Sequence, residues 1–399
     1  MTAQGIDFAV SAELRDDLHL WRTRALIAGI AGAIACVIGI FISPFQFYRS
    51  YLWAYVFYVG VAAGSMAWLM VQYLSGGAWG VVIRRPAEAA ARTLPLIAVM
   101  FIPVLIGIPN LYPWAHANQV AADPVLAHKH VYLNIPFFLI RAAAYLGGWL
   151  LFSWRLNYWS EVEDRDDGLY PHRRMARLSG PGLVYWGFSV TFMAVDWVLS
   201  IEPHWFSTMF GLLFIAGQGL SGMAFLITVM VFLSYRRPMS EILTPRHLHD
   251  LGKLLLTMVM VWAYFAFSQW LIIWTGNLPH EITWYLERLR GGWGVIACVL
   301  IFGHFALPFA LLLSRDLKRN FNLLCGVAIF VLVMRYIDVF WLVTPDYRKG
   351  HFGFSWMDFA APIGIGGIWL AYFLYQLEKR PLMPLADPHL EGALRHGRE

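Results

Sequence analysis

Ten apolar stretches of about 20 residues, each long enough to cross the hydrocarbon core of a bilayer as a helix, occupy most of this sequence. They are read at 25–43, 51–75, 93–111, 132–154, 180–200, 208–233, 252–275, 293–314, 321–344 and 356–377. Lipid offers the backbone no hydrogen-bond partners, so such runs must fold as helices that satisfy their own N–H and C=O groups. The expected fold class is therefore all-α integral membrane, with ten transmembrane helices. Composition points the same way: 14% of the 399 residues are charged, against about 25% in soluble domains. No gap between the runs is long enough for a soluble domain.

Charge sets the expected orientation. The N-tail (1–24), the C-tail (378–399) and the loops on their side hold 22 Lys and Arg, whereas the opposite loops hold 6. Short cytoplasmic loops retain positive charge, so both termini are expected in the cytoplasm. The net charge of +5 then resides in those loops and calls for no nucleic-acid partner. The first 20 residues are polar with acidic groups, which argues against a cleavable signal peptide. Cys36, Cys298 and Cys325 are isolated in apolar segments without the C-x-x-C spacing of a metal site, and read as small core residues.

Two spans end alike. Asp196-Trp197 is followed by Ser200 and Pro203-His204-Trp205, and Asp338 by Trp341, Thr344 and Pro345-Asp346-Tyr347. Fainter parallels precede them: Asn110-Leu111 and Pro113-Trp114 leave span 3 as Asn277-Leu278-Pro279 leave span 7, and Ser153-Trp154-Arg155 closes span 4 as Ser314-Arg315 closes span 8. These predict two parallel-repeat four-helix bundles, 51–200 and 208–344, flanked by helix 1 (25–43) and helix 10 (356–377). An acidic insertion (Glu161 to Asp167, then Arg173-Arg174) separates spans 4 and 5; it solvates a loop or docks a partner. Gly60 and Gly64 on span 2, with Gly217, Gly219 and Gly222 on span 6, read as close-packing faces.

Charged groups at membrane depth cost about 2.5 to 3.5 kcal/mol each at a helix centre, and they mark candidate sites. Asp196 and Asp338 fall in the outer third of their spans and Arg141 near mid-depth, while Arg335 shares a helix face with Asp338. A single outer cluster of these four is expected, with Glu202 and His204 in the adjoining loop. An inner cluster comprises His249, Asp250 and Lys253 entering span 7 and His304 on span 8, with Gln218, Ser221, Ser268 and Gln269 between the two. Such an arrangement suits two proton half-channels, because buried carboxylates and histidines relay protons; the competing reading is ion pairs that fix helix packing. Only His304 is placed for haem ligation, which disfavours a b-type cytochrome.

The segments Asp196 to Thr208, His249-Asp250-Leu-Gly252-Lys253, Trp262 to Gln269, Trp274 to Pro279, Arg290 to Trp293, and His304 with Pro308-Phe309 and Ser314-Arg315 carry a resemblance over most of the chain. They look like the ActF type, the smaller of two related ten-helix membrane subunits of bacterial alternative complex III. More broadly the chain resembles the NrfD and PsrC type of quinone-interacting membrane anchor, whose fold is two four-helix bundles with flanking helices. The resemblance implies a subunit of a quinol-oxidising complex in the bacterial cytoplasmic membrane that feeds a cytochrome c type acceptor in a respiratory or photosynthetic chain. It implies no cofactor on this chain. Quinol would bind in the complex, and haem c and iron–sulfur clusters would lie in partner subunits beside an ActC-like homologue. The implied proton path covers Asp196, His249, Asp250, Lys253 and His304; Arg141, Arg335 and Asp338 are added from depth and repeat position. Two other classes stay open: a proton-coupled secondary transporter, which broken helices at Pro103, Pro109 or Pro308 would favour, and a purely structural anchor.

Overall fold

The computed structural model describes residues 7–165, 169–348 and 351–396, and within them the secondary structure is entirely helical. Ten helices are long and apolar enough to span a membrane: Ala12–Ile42, Pro44–Ser75, Ala78–Ile106, Ile135–Glu163, Leu169–Ile201, Met209–Leu233, Pro245–Gly276, Trp293–Leu313, Phe321–Val343 and Met357–Glu378. All ten expected runs are accounted for, so the chain is a multi-pass membrane protein. Spans 1 and 10 pair antiparallel, and Leu382 donates its N–H to the Phe8 carbonyl at 3.0 Å, so both tails share one end of the molecule. That end is called terminal and the opposite one far.

Spans 2, 3, 4 and 5 close a ring in which each packs on the next and span 5 returns to span 2; spans 6, 7, 8 and 9 close a second ring in the same order. Spans 2 and 6 join the rings, and the pair formed by spans 1 and 10 leans on span 2. Glycine makes the central contact possible. A Cβ on Gly64 would lie 2.0 Å from the Gln218 carbonyl oxygen, and one on Gly222 would lie 2.5 Å from the Gly64 carbonyl carbon. Trp68 adds an N–H donated to the Gly219 carbonyl at 2.7 Å. Gly64→Ala is therefore expected to destabilise the fold by about 1 to 3 kcal/mol, the usual range for overpacking. Gly60→Ala, whose Cβ would meet Gln218 at an ordinary 3.5 Å, should leave the melting temperature in detergent unchanged.

Several sequence expectations change. Span 1 begins at Ala12 rather than near 25, so half of the expected N-tail is helical, and span 5 begins at Leu169 rather than near 180. Span 3 begins at Ala78, right after the Gly76-Gly77 turn with φ of 65° and 99°, rather than near 93. Arg84 and Arg85 thus belong to a buried helix, not to a loop. Span 4 continues to Glu163, so Ser153-Trp154-Arg155 lies within the helix instead of closing it. The C-tail is docked, with Leu382, Met383, Leu390 and Leu394 buried. Cys36 and Cys325 are buried as expected, but Cys298 is exposed. Asp166 and Asp167 of the acidic insertion lie outside the described residues.

Span 3 holds Pro86 inside its first helix and Pro95 and Pro103 near the starts of the next two, and Pro109 follows in the short helix just beyond it. Proline removes a backbone donor and frees a carbonyl in the preceding turn. Other spans supply the missing donors: Ser153 to the Ala91 carbonyl (2.7 Å), Tyr55 to Ile97 (3.1 Å) and Tyr51 to Met100 (2.8 Å). Helical bonds resume at once, as in Ile97 to Thr93 and Leu105 to Phe101. Span 3 therefore continues without unwinding.

Candidate functional site

In the first ring, Asp196 is fully buried and saturated. Arg141, reaching from span 4, donates from Nε to one carboxylate oxygen at 2.8 Å and from Nη2 to the other at 3.0 Å. Tyr145 donates its hydroxyl at 2.7 Å. Arg141 spends Nη1 on the Tyr132 carbonyl and stacks its guanidinium over the Tyr132 and Phe137 rings, 3.8 and 4.3 Å from their centres. A bidentate arginine with a third donor is the strong form of this contact, and it occupies both carboxylate oxygens.

The second ring holds a different arrangement. Asp338 accepts from Arg335 one turn earlier on span 9, as the spacing predicts, and from the Trp262 indole N–H at 3.0 Å, both on Oδ2. The Arg335 guanidinium occupies the space a side chain at Gly217 would need, where a Cβ would fall 2.2 Å from Cζ. The Trp262 ring lies edge-on to His304, with centres 4.2 Å apart. His304 has no exposed surface, and neither ring nitrogen has a hydrogen-bond partner. It sits within a π-helical turn, Leu300–Ala306. Such turns insert a residue into a helix and recur at functional sites.

The expected single outer cluster is thus two pairs, one per ring, with no hydrogen bond or ion pair between them among the described residues. His304 is regrouped as well. It belongs with Trp262, Arg335 and Asp338 rather than with the terminal-end charges. Asp250 instead pairs with Lys253 (3.0 Å), His396 of the C-tail (2.9 Å) and, more loosely, His249 (3.9 Å). Of the polar residues expected between the clusters, Ser221 bonds its own helix at the Gly217 carbonyl, and Gln269 bonds Ser207 and Tyr285. Gln218 is buried at the junction of spans 2 and 6 with its amide unpartnered.

At the far end, His204 bridges Asp123 (2.7 Å) and Glu202 (3.4 Å) on a half-exposed loop. Nearby, Arg288 is fully buried, lies 3.6 Å from the centre of the Trp284 ring, and donates to Asp346 at 2.7 Å and to the Leu342 carbonyl. Burial pushes the Asp346 carboxyl above the usual carboxylate range, against the pull of Arg288.

The largest charged assembly was not anticipated. At the terminal end of the first ring, Arg84 bonds Glu88 (3.0 Å), Asp387 of the C-tail (2.6 Å), Ser160 (3.2 Å) and Glu163. Arg85 bonds Glu88 (2.8 Å), Ser160 (3.0 Å) and Asp164. His172 reaches Glu163 at 3.1 Å, and Tyr73 donates to Glu88 at 3.2 Å. Arg84, Arg85, Glu88, Ser160, Glu163 and Asp387 are all buried. The sequence carried one sign of it: Arg84 and Arg85 precede Glu88 by four and three residues in an Ala-rich run, which places them on one helical face.

Of the residues in the motifs that carry the resemblance, Asp196, at the exit of span 5, lies in the closed first-ring pair, and Trp262 on span 7 and His304 on span 8 lie in the second-ring group. No family model matches the chain, and no curated protein matches it.

Proposed function

We propose that this chain is a membrane subunit of a quinol-oxidising complex, of the alternative complex III type, without a redox centre of its own, and that its second ring carries a proton site. The observation that carries the proton site is His304: a histidine wholly inside the membrane region, unpartnered at both nitrogens, in a π-helical turn beside the Trp262–Asp338–Arg335 group. An intramembrane ionisable residue marks a transport path by default, and an imidazole with neither nitrogen committed can accept a proton on one and release it from the other. Trp262 fixes one oxygen of Asp338, and Arg335 keeps the negative carboxylate tolerable at that depth. A proton passing between His304 and Asp338 would need an intervening water, since no hydrogen bond joins the two side chains. Asp196, bound on both oxygens, serves as a structural tie.

The redox assignment rests on the motif resemblance in spans 5, 7 and 8, and the bacterial cytoplasmic membrane follows from it. Cytoplasmic termini rest on the Lys and Arg asymmetry, which stays in the same direction after Arg84 and Arg85 are removed from the loops. Partners would be the larger ActC-like relative, an iron–sulfur subunit and c-type haem subunits. Transport by this chain alone is the weaker reading. It needs unwound helices at mid-membrane, and span 3 keeps its helical bonding through all three prolines.

Extraction in mild detergent through a tag on this chain is expected to bring down subunits with a c-type haem spectrum; a colourless, self-associated chain would sink the redox assignment. In the assembled complex, His304→Leu should reduce proton translocation per electron with assembly intact, and Asp338→Asn, which keeps an oxygen acceptor for Arg335 and Trp262 but leaves the arginine charge unbalanced, should do the same at a cost in stability. Unchanged translocation in both would reduce the second-ring group to packing.

A further inference from the structure

We propose that the cleft between spans 3, 4 and 10 at the terminal end binds the phosphate headgroup of an anionic phospholipid. This inference stands apart from the redox assignment. The cleft has a volume of about 720 Å³ and is walled by Arg92 from span 3, Asn157 from span 4 and Arg380 just beyond span 10. These residues are tied into a fixed floor. Arg92 donates from Nε to the Asn157 side-chain oxygen at 2.7 Å, Asn157 donates to the Ser153 carbonyl at 2.9 Å, and Arg380 donates from Nη2 to the Asn157 carbonyl at 3.2 Å and to Glu161 at 3.0 Å.

Each guanidinium nevertheless has a buried nitrogen without an acceptor: Nη2 of Arg92 and Nη1 of Arg380. Arg380 Nη1 lies 3.7 Å from Glu88, beyond hydrogen-bond reach. Leaving a charged donor buried without an acceptor is costly; Arg92, whose side chain bonds the neutral Asn157 amide, calls most strongly for an oxygen-rich anion in the cleft, and Arg380, ion-paired with Glu161 and loosely with Glu88, keeps one nitrogen to add to it. The carboxylates on its wall do not meet that demand. Asp164 is engaged by Arg85, and Glu161 is shared between Arg165 and Arg380. Lys379 adds another positive charge at the rim.

The surroundings choose a lipid over a free anion. The cleft opens beside Trp154 and Tyr158, which are 58% and 47% exposed, and Trp and Tyr favour the headgroup level of a membrane. Further into the membrane, Val99, Ile102 and Leu151 present exposed apolar surface on spans 3 and 4, along which acyl chains can lie. Basic pockets between spans bind anionic lipid headgroups on the cytoplasmic side.

The test uses the full-length chain in mild detergent, with native mass spectrometry and thermal melting after titration with phosphatidylglycerol, phosphatidylcholine or inorganic phosphate. Phosphatidylglycerol is expected to bind at one retained site and raise the melting temperature, with little effect from the other two. Arg92→Gln should weaken that binding about fivefold, the effect of one basic residue at an anionic lipid surface, and Arg380→Gln by a similar factor. Equal retention of phosphatidylcholine, equal stabilisation by inorganic phosphate, or unaltered phosphatidylglycerol binding in both variants would overturn the proposal. Should the variants fail to fold, the lipid-class comparison on the unaltered chain decides the matter alone.

Discussion

Arg84→Met is expected to destabilise the chain by about 3 to 5 kcal/mol, the range for removing one partner from a buried ion pair. The substitution takes away four hydrogen bonds in one step, to Glu88, Ser160, Glu163 and Asp387. It leaves those three carboxylates buried close together with less positive charge to offset them. Arg85 compensates only Glu88 and Asp164, because its own contacts do not reach Glu163 or Asp387. The first element to loosen should be the C-tail, whose Asp387 is held by Arg84 and whose Leu390 and Leu394 are buried behind it. Limited proteolysis of detergent-solubilised protein is the direct measurement. Cleavage after Arg380 or within 381–396 should accelerate in Arg84→Met, along with a large fall in melting temperature. Arg84→Lys should recover little, because an ammonium cannot present the planar fork that serves four acceptors in different directions. Normal stability in Arg84→Met would mean that these contacts give no net stabilisation and that the C-tail is held by its apolar residues alone.

How much of this could be read from the chain differs between elements for physical reasons. Ten spans were legible because lipid imposes a run of about 20 apolar residues on any helix that crosses it. The large boundary differences, at the starts of spans 1, 3 and 5, share a cause: charged residues lower local hydropathy where the helix is already under way, as with Arg84, Arg85 and Glu88 in span 3. Their partners Glu163 and Asp387 come from span 4 and the C-tail, and no pattern in one segment announces a contact with another. Arg335 with Asp338 was legible as an i, i+3 pair on one helix. Arg141 with Asp196 was partly so, since comparable depth allowed the meeting but could not exclude a common cluster of four. His304 was assigned to the wrong group for the same reason: depth fixes height in the membrane but not which neighbour a side chain faces. The π-helical turn that sets its direction arises from backbone register, which residue type does not encode in any simple way.

Asp196→Ala is expected to cost a further about 3 to 5 kcal/mol in its own right, and its companion variants separate a structural tie from a proton carrier. Alanine leaves Arg141 charged, 8% exposed, with two of its three donor positions empty and only the Tyr132 carbonyl still bound; truncating one member of a buried pair carries that penalty. Arg141→Met alone should cost about as much, since Asp196 would keep only Tyr145 as a donor. The double variant Arg141→Met with Asp196→Leu removes both charges and fills the space with apolar side chains. It should recover most of the lost stability, because well-packed apolar residues often replace a buried ion pair at no net cost. A double-mutant cycle on the melting free energy therefore isolates the pairing from the side effects of each truncation. If the tie is only structural, the recovered double variant assembles and moves protons normally. Loss of proton translocation in a variant that has regained its stability would instead return Asp196 to the path and make the two rings functional equivalents. The geometry favours the first outcome. One aspartate is held at both oxygens by an arginine from another helix and capped by a tyrosine. The other is held at one oxygen, beside a histidine whose nitrogens have no partner.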